Sequence, residues 1–153
     1  MLTAGELRIV RPKAWSMRTE FREGDTLLAA LTGSKSFGRK AAATIGGKTY
    51  VLSTGGKRTL FSRMRESGRM DDVAVMEHVG AARGAIVVGD AAYELSRAPD
   101  GRWTIRSEER GPLLTFVRDV RDPSQGRVVI ELQDDNALTL ALLGWFSLRS
   151  MEY

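Results

Sequence analysis

The sequence predicts an all-β fold, a β-barrel of about 12 mostly antiparallel strands that encloses one hydrophobic C-terminal α-helix. Two observations lead to this prediction. Apolar and polar residues alternate in many short runs separated by turn residues, and the final run is apolar on almost every side. The chain has 153 residues, the size of one ordinary domain with a single core, so we expect one domain over residues 1–153.

The clearest strand pattern lies in residues 15–22, where side chains of opposite character alternate with period two. One face carries Trp15, Met17, Thr19 and Phe21, and the other carries Ser16, Arg18, Glu20 and Arg22. This pattern indicates a strand with one buried side and one solvent-exposed side. Comparable runs predict strands near residues 6–10, 14–22, 26–32, 38–45, 48–53, 57–65, 70–77, 83–88, 91–96, 102–107, 112–119 and 126–132.

Glycine, aspartate and proline separate these runs, as in the segments 46–47, 89–90 and 99–101. The connections are short and contain no helical pattern. We therefore expect a barrel or sandwich of antiparallel hairpins rather than βαβ units.

A weak internal repeat relates two of these hairpins. Segment 45–53 aligns with 88–96 through the shared pattern Gly-x-x-x-Tyr-x-Leu-Ser, and segment 56–62 aligns with 101–107. In each copy the tyrosine and the following leucine are two residues apart, so we expect both to point to the same side of their strand. Two copies within one domain indicate related halves of a sheet.

The C-terminal segment has a different character. Asp134, Asp135 and Asn136 are suited to the start of a helix, and residues 137–148 read ALTLALLGWFSL. A helix that is apolar on all sides is either buried in protein or inserted in lipid, and a spanning helix needs roughly 20 apolar residues. We favour a core helix over about residues 135–150, and a membrane-associated tail is the alternative.

The strand number, the repeated Gly-x-x-x-Tyr-x-Leu hairpin and the final apolar helix together resemble the tubby-like superfamily. That group includes the tubby C-terminal domain, the phospholipid scramblases and the LURP-one-related proteins. The resemblance extends from about Glu6 to Met151 and depends on Gly46, Lys48, Tyr50, Leu52, Gly89, Tyr93, Leu95 and the run 137–148. It implies a barrel around a central apolar helix and action at lipid surfaces. No phosphoinositide-contacting cation or calcium-binding segment of those families matches a position here, so the resemblance assigns no site residue.

Residues suited to catalysis or metal binding are sparse. The chain has no cysteine, and His78 is its one histidine, so we expect no metal site and no cofactor. No Gly-x-Ser-x-Gly motif supports a serine nucleophile paired with His78, which we interpret as a structural or surface residue. The sequence therefore predicts a protein that is not an enzyme.

One constellation favours binding. In the predicted strand 57–65, Leu60, Ser62 and Met64 alternate with residues that would form an exposed basic stripe. The candidate lipid- or phosphate-binding residues are Lys57, Arg58, Phe61, Arg63, Arg65 and Arg69. Cations around an aromatic ring can hold lipid phosphates while the ring enters the headgroup layer. An ordinary solvent-exposed strand face is the alternative interpretation.

The formal net charge of +4 agrees with an anionic partner. We expect a cytoplasmic, monomeric binding or scaffold domain, peripheral to membranes, with affinity for acidic phospholipid or phosphoinositide surfaces. Two alternatives remain open at this point: a nucleic-acid-binding domain, and a barrel that carries a small ligand. The sequence identifies no protein partner.

Overall fold

The chain forms a closed barrel of antiparallel strands around one helix. The computed structural model describes residues 5–13, 17–33 and 40–151. Each strand pairs with the next along the chain, and β1 pairs with β12 to close the barrel. The strands are β1 (Glu6–Val10), β2 (Arg18–Glu23), β3 (Thr26–Gly33), β4 (Lys40–Ile45), β5 (Lys48–Gly55), β6 (Phe61–Glu66), β7 (Asp72–Gly80), β8 (Arg83–Val88), β9 (Ala91–Arg97), β10 (Trp103–Ser107), β11 (Gly111–Arg118) and β12 (Gly126–Ile130), followed by helix α1 (Ala137–Met151).

This architecture confirms the predicted fold class. The period-two alternation holds in most strands, because successive side chains point into and out of the barrel. It fails at two residues of the clearest pattern: Met17, expected on the buried face, is 41% exposed, and Glu20, expected on the exposed face, is buried against Arg18 and Arg22. In β4, for example, Ala41 and Ala43 are buried while the residues between and beside them are exposed. Residues 14–16 of the second predicted strand lie outside the described residues, as do residues 38–39 of the fourth.

One predicted strand begins too early. Residues 57–60 form a loop, and β6 begins at Phe61. Gly56 has φ +142°, and a Cβ there would lie 2.0 Å from the carbonyl oxygen of Thr59, so the chain doubles back tightly at this point. Leu60, expected in the core, is 44% exposed, whereas Ser62 and Met64 are fully buried as expected.

Helix α1 fills the interior of the barrel. Every residue from 140 to 148 is buried, which spans more than two helical turns and therefore all sides of the helix. Trp145 packs against Phe116 of β11, with ring centroids 6.3 Å apart. The all-round apolar character of this segment is thus satisfied by the inner face of the wall. Among the described residues, no helix has the length and apolar character needed to cross a bilayer.

The start of α1 is anchored to the wall. The helix begins two residues later than the sequence indicated, with the amide of Leu140 donating to the carbonyl oxygen of Asn136. The carboxylate of Asp134 accepts a hydrogen bond from the backbone amide of Asn136 at 2.8 Å. The same carboxylate accepts bonds from Tyr93 and Arg110. Asp134 therefore joins the helix start to two places on the barrel wall.

The first of the two aligned segment pairs in the internal repeat has the same structure in both copies. Gly46 and Gly89 occupy the same place in the β4–β5 and β8–β9 turns, with φ of 59° and 58°. Leu52 and Leu95 are buried, Tyr93 is buried beside Leu95 and Tyr50 packs against the core beside Leu52, so each tyrosine and leucine share the inner side of their strand as expected. The second part of the alignment does not hold, because the strand in one copy begins at Phe61 and in the other at Trp103.

Candidate functional site

The two ends of the barrel carry opposite charge. Because consecutive strands run in opposite directions, every second loop lies at the same end. We call the end where α1 starts the acidic end and the opposite end the basic end. The described loops of the acidic end are 24–25, 46–47, 67–71, 89–90, 108–110 and 131–136. The described loop residues of the basic end are 11–13, 17, 56–60, 81–82, 98–102 and 119–125.

Cations outnumber acids two to one in the loops of the basic end. The cations there are Arg11, Lys13, Lys57, Arg58, Arg102 and Arg121, and the acids are Asp100, Asp119 and Asp122. Two of the cations form long ion pairs, Arg11 with Asp122 at 3.8 Å and Arg102 with Asp100 at 4.0 Å. Lys57, Arg58 and Arg121 have no ion-pair partner within the described ranges, so their charges face solvent.

The opposite end is strongly acidic. Its loops carry Asp25, Asp71, Asp90, Glu108, Glu109, Glu131, Asp134 and Asp135 against Arg69 and Arg110. The dipole of α1 complements this arrangement, because the partially positive N-terminus of the helix lies at the acidic end. The barrel therefore has a long-range electrical polarity along its axis.

Apolar side chains are exposed beside the cations of the basic end. Val120 is 96% exposed and precedes Arg121, and Leu60 is 44% exposed and follows the Lys57–Arg58 pair by two positions. Val79, at the end of β7, is 56% exposed. A surface that combines cations with protruding aliphatic groups is suited to an acidic lipid interface.

The structure divides the predicted basic stripe into two parts. Lys57 and Arg58 are exposed in the β5–β6 loop of the basic end. Arg63 and Arg65 lie on the outer face of β6, and Arg69 lies on the β6–β7 turn at the acidic end. The six predicted residues therefore extend along the whole height of the barrel and do not form one patch.

The second part of the stripe lines a cleft on the outer wall, which we call the side cleft. Its volume is about 410 Å³. Its lining residues are Lys40, Val51, Ser53, Arg63, Arg65, Glu66, Ser67, Gly68, Arg69 and Asp72. Val51 and Ser53 of β5 are small and form the floor, with the longer side chains of Lys40 on β4 and of Arg63 and Arg65 on β6 at either side.

Phe61 is not the exposed ring that the sequence indicated. It is only partly exposed, and the guanidinium of Arg63 covers its ring at 5.2 Å from the centroid. This contact is a cation–π interaction. Phe61 therefore supports Arg63 and does not itself line the side cleft.

His78 meets a serine inside the barrel wall. Its Nε2 lies 2.7 Å from the hydroxyl of Ser62, which also bonds the hydroxyl of Thr54 at 2.9 Å. A serine within hydrogen-bond distance of histidine can in principle act as a nucleophile. Ser62 has no exposed surface, however, so its hydroxyl does not face a substrate. Burial lowers the pKa of His78, which agrees with a neutral, structural histidine.

Sequence reasoning missed the charged ends and Lys40. The signal was present, because in an antiparallel barrel built in chain order every second loop falls at the same end. Counting the charged residues separately for odd and even turns of the predicted strand order would have predicted the difference in charge between the two ends. Lys40 could not be found in this way, because its place beside Arg63 depends on the pairing of β4, β5 and β6 through Ser53.

Comparison of the chain with family models, with curated proteins and with solved structures found no match. The tubby-like resemblance therefore stays a prediction.

Proposed function

We propose that this chain is a non-enzymatic, tubby-like domain that binds acidic phospholipid surfaces peripherally through its basic end. The observation that carries the proposal is the separation of charge between the two ends of the barrel. A negatively charged bilayer attracts the basic end and repels the acidic end, so the field orients the molecule before contact.

The energetics of the basic end are adequate for reversible binding. A lysine or arginine near an acidic membrane surface contributes about 1 kcal/mol, so a few such residues acting together give appreciable attraction. Val120 and Leu60 add apolar area that can enter the headgroup region. Lys57, Arg58 and Arg121, which form no ion pair with a described residue, lie at the same end of the barrel as these groups.

Two other functions receive less support. Binding of single-stranded nucleic acid uses aromatic rings as stacking platforms, whereas the large exposed apolar residues of the basic end within the described ranges are Met17, Leu60, Val79 and Val120. A carrier barrel needs an interior that accepts a ligand. Here α1 occupies the interior, with residues 140–148 buried against the wall.

Vesicle flotation tests the proposal. The full chain is mixed with phosphatidylcholine vesicles and with vesicles that also contain phosphatidylserine, at low and high salt. We expect flotation with the acidic vesicles only, and weaker flotation at high salt because mobile ions screen the attraction. Lys57→Glu should lower the partition coefficient by about tenfold or more, since it removes one favourable charge and adds an unfavourable one.

Lys48→Glu is the matched control. Lys48 is also an exposed lysine, but it lies beside the β4–β5 turn at the acidic end. We expect its reversal to leave flotation almost unchanged. Equal losses from both variants would mean that net charge and not the basic end drives binding. Flotation that neither depends on acidic lipid nor responds to Lys57→Glu would overturn the proposal, and salt-sensitive binding of single-stranded DNA without flotation would favour a nucleic-acid partner.

A further inference from the structure

The side cleft carries more positive charge than its own acids neutralise. It is lined by Lys40, Arg63, Arg65 and Arg69 and by the two carboxylates of Glu66 and Asp72. Asp72 bonds Arg63 at 2.9 Å and Arg65 at 3.5 Å. Lys40 and Arg69 have no ion-pair partner in the part of the chain that the structure describes. Two positive charges are therefore left uncompensated in one concave site.

Asp72 holds the side chains of Arg63 and Arg65 in place before an anion binds. One carboxylate oxygen accepts from Nη1 of Arg63 and the other accepts from Nε of Arg65. Each guanidinium is held through one nitrogen, so its other N–H groups are available to an incoming anion. Arg63 is held a second time by its contact with the ring of Phe61. Arginines that are fixed before binding lose less side-chain entropy when they bind an anion.

The floor and rim add neutral hydrogen-bond donors. Ser53 lies on β5 between Lys40 and Arg63 in the register, and Ser67 lies on the turn next to Arg69. Serine hydroxyls can donate to phosphate oxygens. The cleft volume of about 410 Å³ lies within the usual range for small-molecule sites.

We propose that the side cleft binds the dianionic phosphate group of a small phosphomonoester. A monoester carries close to two negative charges near neutral pH and presents three oxygens, which matches the two uncompensated cations and the planar donors of the arginines. A phosphodiester carries one charge and fewer free oxygens. This site is separate from the basic end and does not depend on the membrane-binding function.

Titration calorimetry with glycerol 3-phosphate, using the full chain, tests this inference. We expect binding that strengthens from about pH 5.5 to about pH 7.5, as the second phosphate proton with pKa ≈ 6 is lost. Glycerophosphocholine, the corresponding diester, should bind at least tenfold more weakly. Arg69→Gln should weaken glycerol 3-phosphate binding about tenfold, because a charge-assisted hydrogen bond is lost. Arg69 is exposed on a turn, so this variant should fold normally.

Arg127→Gln is the matched control. Arg127 is an exposed arginine on β12, the strand diametrically opposite β6 in the barrel, and it forms an ion pair with Glu6 of β1. We expect its affinity for glycerol 3-phosphate to equal that of the unmodified chain. No heat of binding in the millimolar range would overturn the proposal. Equal affinity in the Arg69 and Arg127 variants would overturn it as well.

A second arm identifies the source of the phosphate. Vesicles containing phosphatidic acid present the same monoester on a lipid. If Arg69→Gln weakens both vesicle binding and glycerol 3-phosphate binding, the cleft takes a lipid-borne monoester. If only glycerol 3-phosphate binding weakens, the ligand is a soluble one. Lys57→Glu should reduce vesicle binding without changing the calorimetric affinity, so failure of the basic end and failure of the cleft give different results.

Discussion

The hydroxyl of Tyr93, on the inner face of β9, donates a hydrogen bond to the carboxylate of Asp134 at 3.1 Å. The side-chain amide of Asn136 donates to the tyrosine oxygen at 3.0 Å. Burial raises the pKa of Tyr93, and the neighbouring Asp134 carboxylate raises it further. The tyrosine therefore stays protonated and connects the barrel wall with two residues that immediately precede α1.

Replacing Tyr93 with phenylalanine should destabilise the fold. The variant keeps the ring but loses bonds to a carboxylate and to an amide, so we expect a loss of about 1–3 kcal/mol in the free energy of unfolding. Urea unfolding measures the change. The internal repeat supplies the control, Tyr50→Phe, because Tyr50 has the equivalent place on β5 but no hydrogen bond from its hydroxyl within the described residues. Equal losses in both variants would contradict the anchoring role of Tyr93.

Leu142 tests whether the helix forms the core. It is fully buried in α1, so Leu142→Ala should cost about 2–5 kcal/mol from lost burial and the cavity left behind. Leu132 is 39% exposed just before the helix, and Leu132→Ala should change stability by no more than about 0.5 kcal/mol. A loss below about 1 kcal/mol for Leu142→Ala would be inconsistent with a helix enclosed by the barrel.

Gly144 lies where the helix packs tightly against the wall. A Cβ at this position would lie 2.6 Å from the ring of Phe116 and 3.1 Å from Cδ1 of Ile105. Alanine is the better helix former, yet we expect Gly144→Ala to destabilise the protein by about 1–3 kcal/mol because the packed ring must move. Near-ultraviolet circular dichroism should also change, since Phe116 packs on Trp145. Gly47→Ala is the control, because Gly47 lies on a turn where a Cβ would meet no other atom. An increase in stability from Gly144→Ala would refute the packing described for Gly144.

His78 predicts a pH dependence of stability. Burial lowers the pKa of His78 in the folded chain, whereas the unfolded chain takes up the proton near pH 6.5. Protonation therefore favours the unfolded state. The stability contribution of neutral His78 is complete above pH 6.5 and declines as the pH falls below that value toward the lower pKa of the folded state.

His78→Gln should remove this part of the pH dependence. Glutamine can still bond the Ser62 hydroxyl but does not titrate, so the free energy of unfolding should vary less between about pH 7.5 and about pH 5.5 than in the unmodified chain. Urea unfolding at several pH values measures both slopes. Parallel slopes for the two proteins would show that His78 is not protonated selectively in the unfolded state.

Local patterns predicted the barrel strands well because alternation and turn residues are local properties. The helix followed from its all-round apolar composition. The start of β6 was predicted wrongly because Lys57 to Leu60 continue the alternation through a loop that Gly56 shapes. The contact of Ser62 with His78, and the placement of Lys40 and Arg63 around one cleft, depend on strand register. Register between strands arises from packing of the whole barrel and cannot be read from one strand alone.

Closure of the wall by β1 and β12 has a consequence for synthesis of the chain. Glu6 pairs with Val129, so β1 gains its second neighbour only after the other eleven strands of the barrel have been made. The segment that fills the interior, α1, is made later still. An incomplete chain therefore presents an open, curved sheet whose apolar concave surface is uncovered. Completion of the fold requires α1 to enter that surface as β1 and β12 meet, so we expect the native state to form only after residues 126–151 have been made.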